Sequence, residues 1–241
     1  MDLELHKEIT IRHIQSDING NCSIPVIADM LQESAEQSAV QLGFGYKDIV
    51  TSRQAWVLSR MLINFKKMPR VDDTLTLKTW PKRQEKLFAL RDFELCLGDE
   101  VIVSAASAWI VINIDTRRPM KPDSIFGDFN ASEMRDAIKE VPGKVLVPES
   151  FSLSDSRRVR FTDLDINNHM NNSYYFRWIL DIFPEDIFRN KIIGSILVNF
   201  NNELVFNDDV EIFANDTGNG KWAVWGKKPG QLVFSSEVVW Q

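Results

Sequence analysis

Residues 162–172 read TDLDINNHMNN and crowd small polar side chains around one histidine. Asp165, Asn167 and His169 follow one another at every second position. In an extended or loop backbone these three side chains share one face, whereas on a helix Asp165 and Asn167 would point apart. A carboxylate, an amide and an imidazole in one place can perform acid–base chemistry and polarise a carbonyl. The spacing therefore predicts hydrolysis of an acyl group.

The stretch that follows this cluster is strongly apolar and predicts a helix over residues 172–183. Asn171 or Asn172 suits the N-cap, and Pro184 ends the helix. Free backbone N–H groups and the positive end of the helix dipole favour negative charge at a helix N-terminus. We therefore expect N–H groups near residues 170–173 to stabilise an oxyanion.

A structural role for Asp165 and Asn167 is also open, because Asp-Ile-Asn is a good turn sequence. The first half of the chain contains the same tripeptide in DINGN, where Asn21 stands at the position of His169. The turn thus needs only the Asp-Ile-Asn part. The histidine is present in the second copy alone, which favours a functional role for it.

The two halves of the chain resemble each other in three places that occur in the same order. Such an ordered set, with an offset that shrinks along the chain, indicates duplication of one unit. The matched segments are 11–21 with 159–169 (offset 148), 59–77 with 194–212 (offset 135) and 103–109 with 234–240 (offset 131).

Each half has the pattern of one helix followed by several long strands. The first helix is predicted over 25–44, with Pro25 in its first turn. A linker over 123–148, with a short helix near 131–140, separates the halves. This pattern predicts an α+β fold in which each unit wraps an antiparallel sheet around a central helix. Strands are predicted over 73–80, 101–114 and 232–240, with Gly98-Asp99 and KKPGQ as hairpin turns.

The composition restricts the class of protein. The chain has 241 residues, is 44% hydrophobic and carries a net charge of −6, which argues against nucleic-acid binding. No signal peptide and no apolar run of roughly 20 residues for stable membrane insertion are apparent. Cys22 and Cys96 fit a reducing, cytoplasmic compartment. His6 and His13 lie far from His169, so neither a metal nor another cofactor is expected.

Several motifs together resemble the acyl-acyl carrier protein thioesterase family. DLDINNHMNNSYYFRWIL is similar to the family pattern DLDxNxHVNNxxYxxWxL. The segments 55–81, 87–95 and 107–122 resemble the first half of that family. The resemblance covers essentially the whole chain and implies tandem hotdog domains: an N-terminal domain over 1–122 with the acyl-chain pocket, and a catalytic C-terminal domain over 149–241. The absence of a plant-like transit segment favours a bacterial member.

The resemblance also implies the site residues. Asp165, Asn167 and His169 match the motif directly, and Glu203 in NFNNELVF matches a glutamate on the strand after the helix. In plant relatives a cysteine follows that glutamate, but here the next residue is Leu204, which excludes a cysteine nucleophile at this position. In the repeat alignment Met68 stands opposite Glu203. The second copy alone thus carries both the imidazole and the carboxylate, which predicts one active site per chain.

The implied reaction releases a free fatty acid from acyl carrier protein and terminates fatty acid synthesis. Water is activated by Glu203 or Asp165, with His169 as an intermediary, or Asp165 attacks directly through an anhydride. Asn167 positions the thioester carbonyl. An acyl-CoA thioesterase and a non-catalytic acyl-binding hotdog protein stay open as alternatives, as does a homodimer.

The carrier protein is acidic in general, so docking on this net-negative chain needs a basic patch. Two short basic segments are candidates, TRRPMKP and SRRVRF. The alternative is that these are solvated charges at strand ends. The docking candidates are Arg117, Arg118 and Lys121 in the first segment and Arg157 and Arg158 in the second.

Overall fold

The computed structural model describes residues 3–126 and 134–241. The chain divides into two compact units, the first comprising Met1–Ser23 and Asp29–Pro142 and the second Ile24–Ala28 and Gly143–Gln241. The predicted linker 123–148 is thus shared, with its residues up to Pro142 in unit 1 and those from Gly143 in unit 2.

Unit 1 contains an antiparallel sheet with the strand order β1-β3-β4-β5-β2, and β6 pairs with β5. A short 3-10 helix, His13–Gln15, follows β1. The elements are β1 (Leu5–Thr10), α1 (Ile24–Gln41), α2 (Tyr46–Val50), β2 (Gln54–Phe65), β3 (Thr74–Glu85), β4 (Phe88–Leu97), β5 (Glu100–Asn113), β6 (Pro119–Met120) and α3 (Asp123–Phe126).

Unit 2 repeats this arrangement with the strand order β7-β9-β10-β11-β8. A 3-10 helix, Phe161–Asp163, again follows the first strand. Strand, 3-10 turn, helix and four further strands recur in the same sequence, so the structure confirms the duplication. The elements are β7 (Leu153–Arg158), α4 (Asn172–Asp181), α5 (Glu185–Asn190), β8 (Ile193–Phe200), β9 (Asp209–Gly218), β10 (Lys221–Lys228) and β11 (Gln231–Trp240).

The helix α1 buries small side chains, Ser34, Ala35 and Ser38, which allow the sheet of unit 1 to approach closely. The guanidinium of the buried Arg91 donates to the Ser38 hydroxyl at 3.0 Å. The helix ends at Gln41, earlier than predicted, because Gly43 has a φ of +79° and turns the chain away.

The helix α4 begins as predicted. Asn171 is its N-cap, and the side chain of Asn171 accepts the Ser173 N–H at 3.0 Å. Its buried face presents Tyr175, whose ring packs edge-on against Phe200 and Phe234. These contacts anchor the helix to β8 and β11. Within residues 3–126 and 134–241, no helix combines the length and apolar character of a bilayer-spanning segment.

The predicted helix near 131–140 is wrong for residues 134–140, which are not helical; residues 131–133 lie outside the described residues. Side chains of β3 and β4 form hydrogen bonds with backbone groups that would pair with each other in a helix. The Asp92 carboxylate accepts the Ala137 N–H at 2.8 Å, and Lys82 Nζ donates to the Ile138 carbonyl at 2.7 Å. A one-turn helix does occur in the linker, but at Asp123–Phe126.

Lys82 and Asp92 form an ion pair of 3.0 Å in which both side chains are almost fully buried, at 3% and 1% exposure. Burial raises the pKa of Asp92, while the hydrogen bond from Lys82 opposes this rise. Such a pair contributes little net stability, but removing one partner leaves an uncompensated charge in the interior.

We expect Lys82→Met to lower the free energy of unfolding by about 3 to 5 kcal/mol, because Asp92 would be left buried and unpaired. Urea unfolding followed by circular dichroism measures the change. Lys221→Met is the matched control, since it removes a solvent-exposed pair with Glu237 and should alter stability far less. Equal losses in the two variants would contradict this account of the buried pair.

Candidate active site

The Asp-Ile-Asn segment of unit 2 forms a tight turn closed by a bridge between Leu164 and Met170. The Asp165 N–H donates to the His169 carbonyl at 2.8 Å, and the Asn168 N–H donates to the Asp165 carbonyl at 3.1 Å. Asn168 has a φ of +61°, a conformation that asparagine tolerates well. The polar residues therefore lie in a loop, as one of the two predicted backbones required, and not in an extended strand.

The Asp165 carboxylate holds this turn together. Its Oδ1 accepts the Asn167 N–H at 2.8 Å and the His169 N–H at 3.3 Å. Its Oδ2 lies 3.4 Å from the Asn167 amide nitrogen. Both carboxylate oxygens are thus engaged within the turn, which positions the backbone of His169.

Unit 1 contains the same turn without the histidine. Asp17 Oδ1 accepts the N–H groups of Asn19 at 2.8 Å and Asn21 at 3.0 Å, and the Asp17 N–H donates to the Asn21 carbonyl at 2.8 Å. The aspartate therefore has a structural role in both units. The two turns differ at their last two residues, Gly20 and Asn21 in unit 1 against Asn168 and His169 in unit 2.

His169 contacts Glu203, which lies 34 residues further along the chain. The distance from His169 Nε2 to Glu203 Oε2 is 3.3 Å, and the side chains are 28% and 36% exposed. A half-exposed imidazole with a carboxylate at hydrogen-bond distance can exchange a proton with bound water. This pair is the part of the site with acid–base capacity.

A backbone hydrogen bond brings these two segments together. The Met170 N–H donates to the Leu204 carbonyl at 2.8 Å, next to Glu203. In unit 1 the Cys22 N–H donates to the Pro69 carbonyl at 2.7 Å, next to Met68. The two bonds are equivalent, so unit 1 has methionine where unit 2 has the glutamate.

Glu203 lies in the loop after β8, not on the strand itself. The strand ends at Phe200 because the N–H groups of Asn201 and Asn202 both donate to the Val233 carbonyl, at 2.9 and 3.0 Å, which interrupts regular pairing. The loop frees Glu203 from the alternation of a strand and lets it reach the histidine.

The prediction of oxyanion donors near 170–173 is wrong for three of the backbone groups. The N–H of Met170 donates to Leu204, that of Asn171 to the Asp163 carbonyl and that of Ser173 to the Asn171 side chain. The turn and the helix cap consume these donors, as the pairing of buried backbone groups requires. The side-chain amide of Asn167 is exposed and thus accessible to a carbonyl oxygen.

Tyr175 contacts the loop that carries Glu203, although the sequence by itself did not indicate a role for it. Its hydroxyl donates to the Asn202 carbonyl at 3.4 Å, immediately before Glu203. Burial raises the pKa of Tyr175, and the negative charge of Glu203 adds to the rise. The tyrosine of the family pattern matches this position and was the available signal.

The two cysteines are buried and unpaired. Burial raises the pKa of Cys22 to about 12, so its thiol is protonated at neutral pH. Among the described residues, no group of three or more His, Cys, Asp or Glu side chains converges as a metal site would require.

The five docking candidates fall in different units. Arg117, Arg118 and Lys121 are exposed residues after β5 in unit 1. In unit 2, Arg157 pairs with Asp155 at 2.7 Å, and Arg158 pairs with Asp209 through two hydrogen bonds of 2.6 and 2.7 Å. These carboxylates offset part of the charge that docking would use.

The paired turns allow a test of the structural role of the aspartates. We expect Asp165→Ala and Asp17→Ala each to lower the free energy of unfolding by about 1 kcal/mol, because each loses two hydrogen bonds to backbone N–H groups. Chemical denaturation of the two variants measures this. A loss confined to Asp17→Ala would mean that Asp165 does not hold its turn.

Comparison with known proteins shows to which family this chain is similar. The family model described as Acyl-ACP thioesterase N-terminal domain matches residues 2–127, and the model described as Acyl-ACP thioesterase C-terminal domain matches residues 149–238. The oleoyl-acyl carrier protein thioesterase 2 of Arabidopsis thaliana is 29% identical over 229 residues, covering 85% of this chain and 61% of that protein. The chain thus spans about three-fifths of the length of such relatives.

Solved structures superpose on this chain over nearly its full length. An acyl-ACP thioesterase from Bacteroides thetaiotaomicron superposes with a TM-score of 0.90 at 27% identity, covering 99% of this chain and 98% of that one. The 12:0-ACP thioesterase from Umbellularia californica has a TM-score of 0.90 at 22% identity, covering 100% and 98%, which bears on the fold alone. The fold is a tandem hotdog, and by its two matched domains the chain belongs to the acyl-ACP thioesterase family.

Proposed function

We propose that this protein hydrolyses the thioester between a fatty acyl group and the phosphopantetheine arm of acyl carrier protein, releasing the free fatty acid and ending its synthesis. The observation that carries the proposal is the His169–Glu203 pair at 3.3 Å. The twin turn in unit 1 has neither group, so a role in folding does not explain the pair. Relatives named acyl carrier protein thioesterases support the choice of substrate.

In the proposed mechanism, Glu203 and His169 act together on one water molecule. A proton moves from the water to the pair as the water oxygen attacks the thioester carbon, and the pair returns a proton to the sulfur when the C–S bond breaks. The Asn167 amide donates to the carbonyl oxygen, where negative charge develops. Asp165 acts as a positioning residue.

A direct attack by Asp165 is the weaker mechanism. Its Oδ1 accepts two backbone N–H groups, and its Oδ2 lies near the Asn167 amide. Forming an anhydride would require the turn to give up these bonds. Unit 1 has a methionine and no carboxylate at the position of Glu203. We therefore choose Glu203 as the carboxylate base.

For the acyl chain we propose the apolar cavity of unit 1. It has a volume of about 80 Å³ and lies along α1, where Ala35 and Ala39 face Trp56 and Trp109. Its lining also includes Gln32, Glu36 and Arg91. The volume is below the roughly 300 Å³ of a small ligand pocket, so the cavity in this form accepts only the end of an acyl chain. Leu31, earlier on the helix, is fully buried in the core.

The carrier and the compartment are part of the proposal. An acyl-CoA thioesterase would use the same chemistry on a different carrier, and a non-catalytic acyl-binding protein would not need the His169–Glu203 pair. We propose a cytoplasmic location, because the two cysteines are unpaired and thiols stay reduced in that compartment. A homodimer is compatible with this activity.

The deciding experiment compares one acyl group on two carriers. We expect the purified protein to hydrolyse palmitoyl-acyl carrier protein with a higher kcat/KM than palmitoyl-CoA, as measured by release of free thiol. A preference for CoA would favour the alternative enzyme. Binding without hydrolysis of either thioester would favour the acyl-binding protein.

We expect His169→Ala and Glu203→Gln each to lower kcat by about 100- to 10,000-fold, because each removes one acid–base group. Asn21→Ala is the matched control, since it changes the equivalent turn position in unit 1 and should leave kcat near that of the unaltered protein. Steady-state kinetics on variants with normal circular dichroism spectra measure the effect. A folded His169→Ala protein with normal turnover would remove the histidine from the mechanism.

A second prediction concerns the basic candidates. We expect Arg157→Glu with Arg158→Glu to raise KM for acyl carrier protein substrates, and more strongly at low salt where screening is weak. The ion pairs with Asp155 and Asp209 should make this effect modest. Arg117→Glu with Arg118→Glu and Lys121→Glu tests the unit 1 segment in the same assay. An equal loss on a small neutral thioester would indicate a damaged site instead of weakened docking.

A further inference from the structure

Four large apolar side chains on the two segments that carry His169 and Glu203 are exposed to solvent. Phe161 is 79% exposed, Ile166 85%, Val205 44% and Phe206 52%. We call this surface the turn rim. Exposed apolar side chains are individually normal, but a group of them on one small surface marks an interaction site.

The backbone shows that these residues form one surface. Ile166 belongs to the turn that carries His169, and Phe161 lies in the 3-10 helix just before that turn. Val205 and Phe206 follow Glu203 after one intervening residue, Leu204. The two segments run side by side, because the Met170 N–H donates to Leu204 and the Asn207 N–H donates to Val159 at 3.1 Å. The apolar side chains therefore belong to the two adjacent segments that carry the groups proposed to act on the thioester.

Two guanidinium groups accompany the turn rim. Arg160 precedes Phe161 and is exposed. Arg177 lies 4.4 Å above the Tyr174 ring, and the Tyr174 hydroxyl donates to the Thr162 carbonyl at 3.2 Å, which places Arg177 beside the turn. In the described part of the chain, neither arginine has a carboxylate of this protein within ion-pair distance, although the charge of Arg160 helps the Arg158 pair to lower the pKa of Asp209.

The carboxylates of the same segments are occupied locally. Asp163 accepts the Arg160 N–H at 2.7 Å. Asp208 accepts the Val205 N–H at 3.0 Å and pairs with Lys228 at 3.0 Å. The cations of the turn rim are thus available to a partner, while its neighbouring anions already have donors.

We propose that the turn rim is the docking surface for the acyl carrier protein, with its apolar side chains against the carrier and with Arg160 and Arg177 pairing with carrier carboxylates. The inference rests on the proposed function. A thioester on a tethered arm reaches His169 and Glu203 only when the carrier lies close to them. The surface around that pair consequently faces the carrier, and it offers both apolar area and unpaired positive charge.

Unit 1 provides an internal comparison. In its equivalent turn, Ile14 is 92% exposed and Ile18 is 74% exposed. This turn has no acid–base pair beside it. If apolar exposure is only a property of this type of turn, the two turns should contribute equally to carrier recognition. The docking proposal instead requires that only the turn of unit 2 contributes.

The test uses the ratio of kcat/KM for an acyl carrier protein substrate to kcat/KM for the same acyl group on N-acetylcysteamine. We expect Phe161→Ser with Phe206→Ser to lower this ratio about tenfold, which corresponds to the loss of a typical interface anchor. Arg160→Glu should lower it as well, and more at low salt. The control, Ile14→Ser with Ile18→Ser, should keep the ratio of the unaltered protein.

The outcomes separate the docking proposal from the proposed function. An unchanged ratio in the folded turn rim variants, or an equal fall in the unit 1 control, overturns the docking surface. Failure of the unaltered protein to hydrolyse either thioester would instead overturn the proposed function. Thermal unfolding of each variant shows whether it is folded, and Phe161→Leu, which keeps an apolar side chain, should restore most of the ratio.

Discussion

The hydrogen bonds from two backbone N–H groups to the Asp165 carboxylate are the constraint on which the site depends. They bend the chain so that His169 ends a closed turn and α4 can begin at its asparagine cap. A short side chain that carries an oxygen acceptor, such as aspartate, is suited to bind backbone N–H groups of its own turn in this way. The turn then presents the imidazole to the loop after β8, where Glu203 meets it.

The same constraint is present in the unit that lacks the acid–base pair. Asp17 makes the same bonds in unit 1, so the turn forms without histidine or glutamate. At the equivalent positions, unit 1 has Asn21 and Met68 where unit 2 has His169 and Glu203. Unit 1 therefore has the turn without an acid–base pair, whereas unit 2 combines the same turn with such a pair.

In the linker, hydrogen bonds to buried polar groups determine which local structure the backbone adopts. Residues 134–140 have a composition that is compatible with a helix, but the buried Lys82–Asp92 pair needs backbone partners to offset its desolvation. Ala137 and Ile138 provide them from an irregular segment. The cost of leaving these charges without hydrogen bonds exceeds the small helix propensity of a short peptide.

Sequence alone determined those features that depend on neighbouring residues. The helices near 25–44 and 172–183, the long strands and the internal repeat all follow from periodicity and turn residues. The family pattern supplied Glu203. Hydrogen-bond capacity, by contrast, depends on which groups meet in space. Only the tertiary structure decided that His169 and Glu203 lie 3.3 Å apart, that the N–H groups of Met170, Asn171 and Ser173 are consumed, and that Arg158 pairs with Asp209. The physical reason is that such contacts join distant segments through sheet register and loop geometry, which no local pattern of side chains specifies.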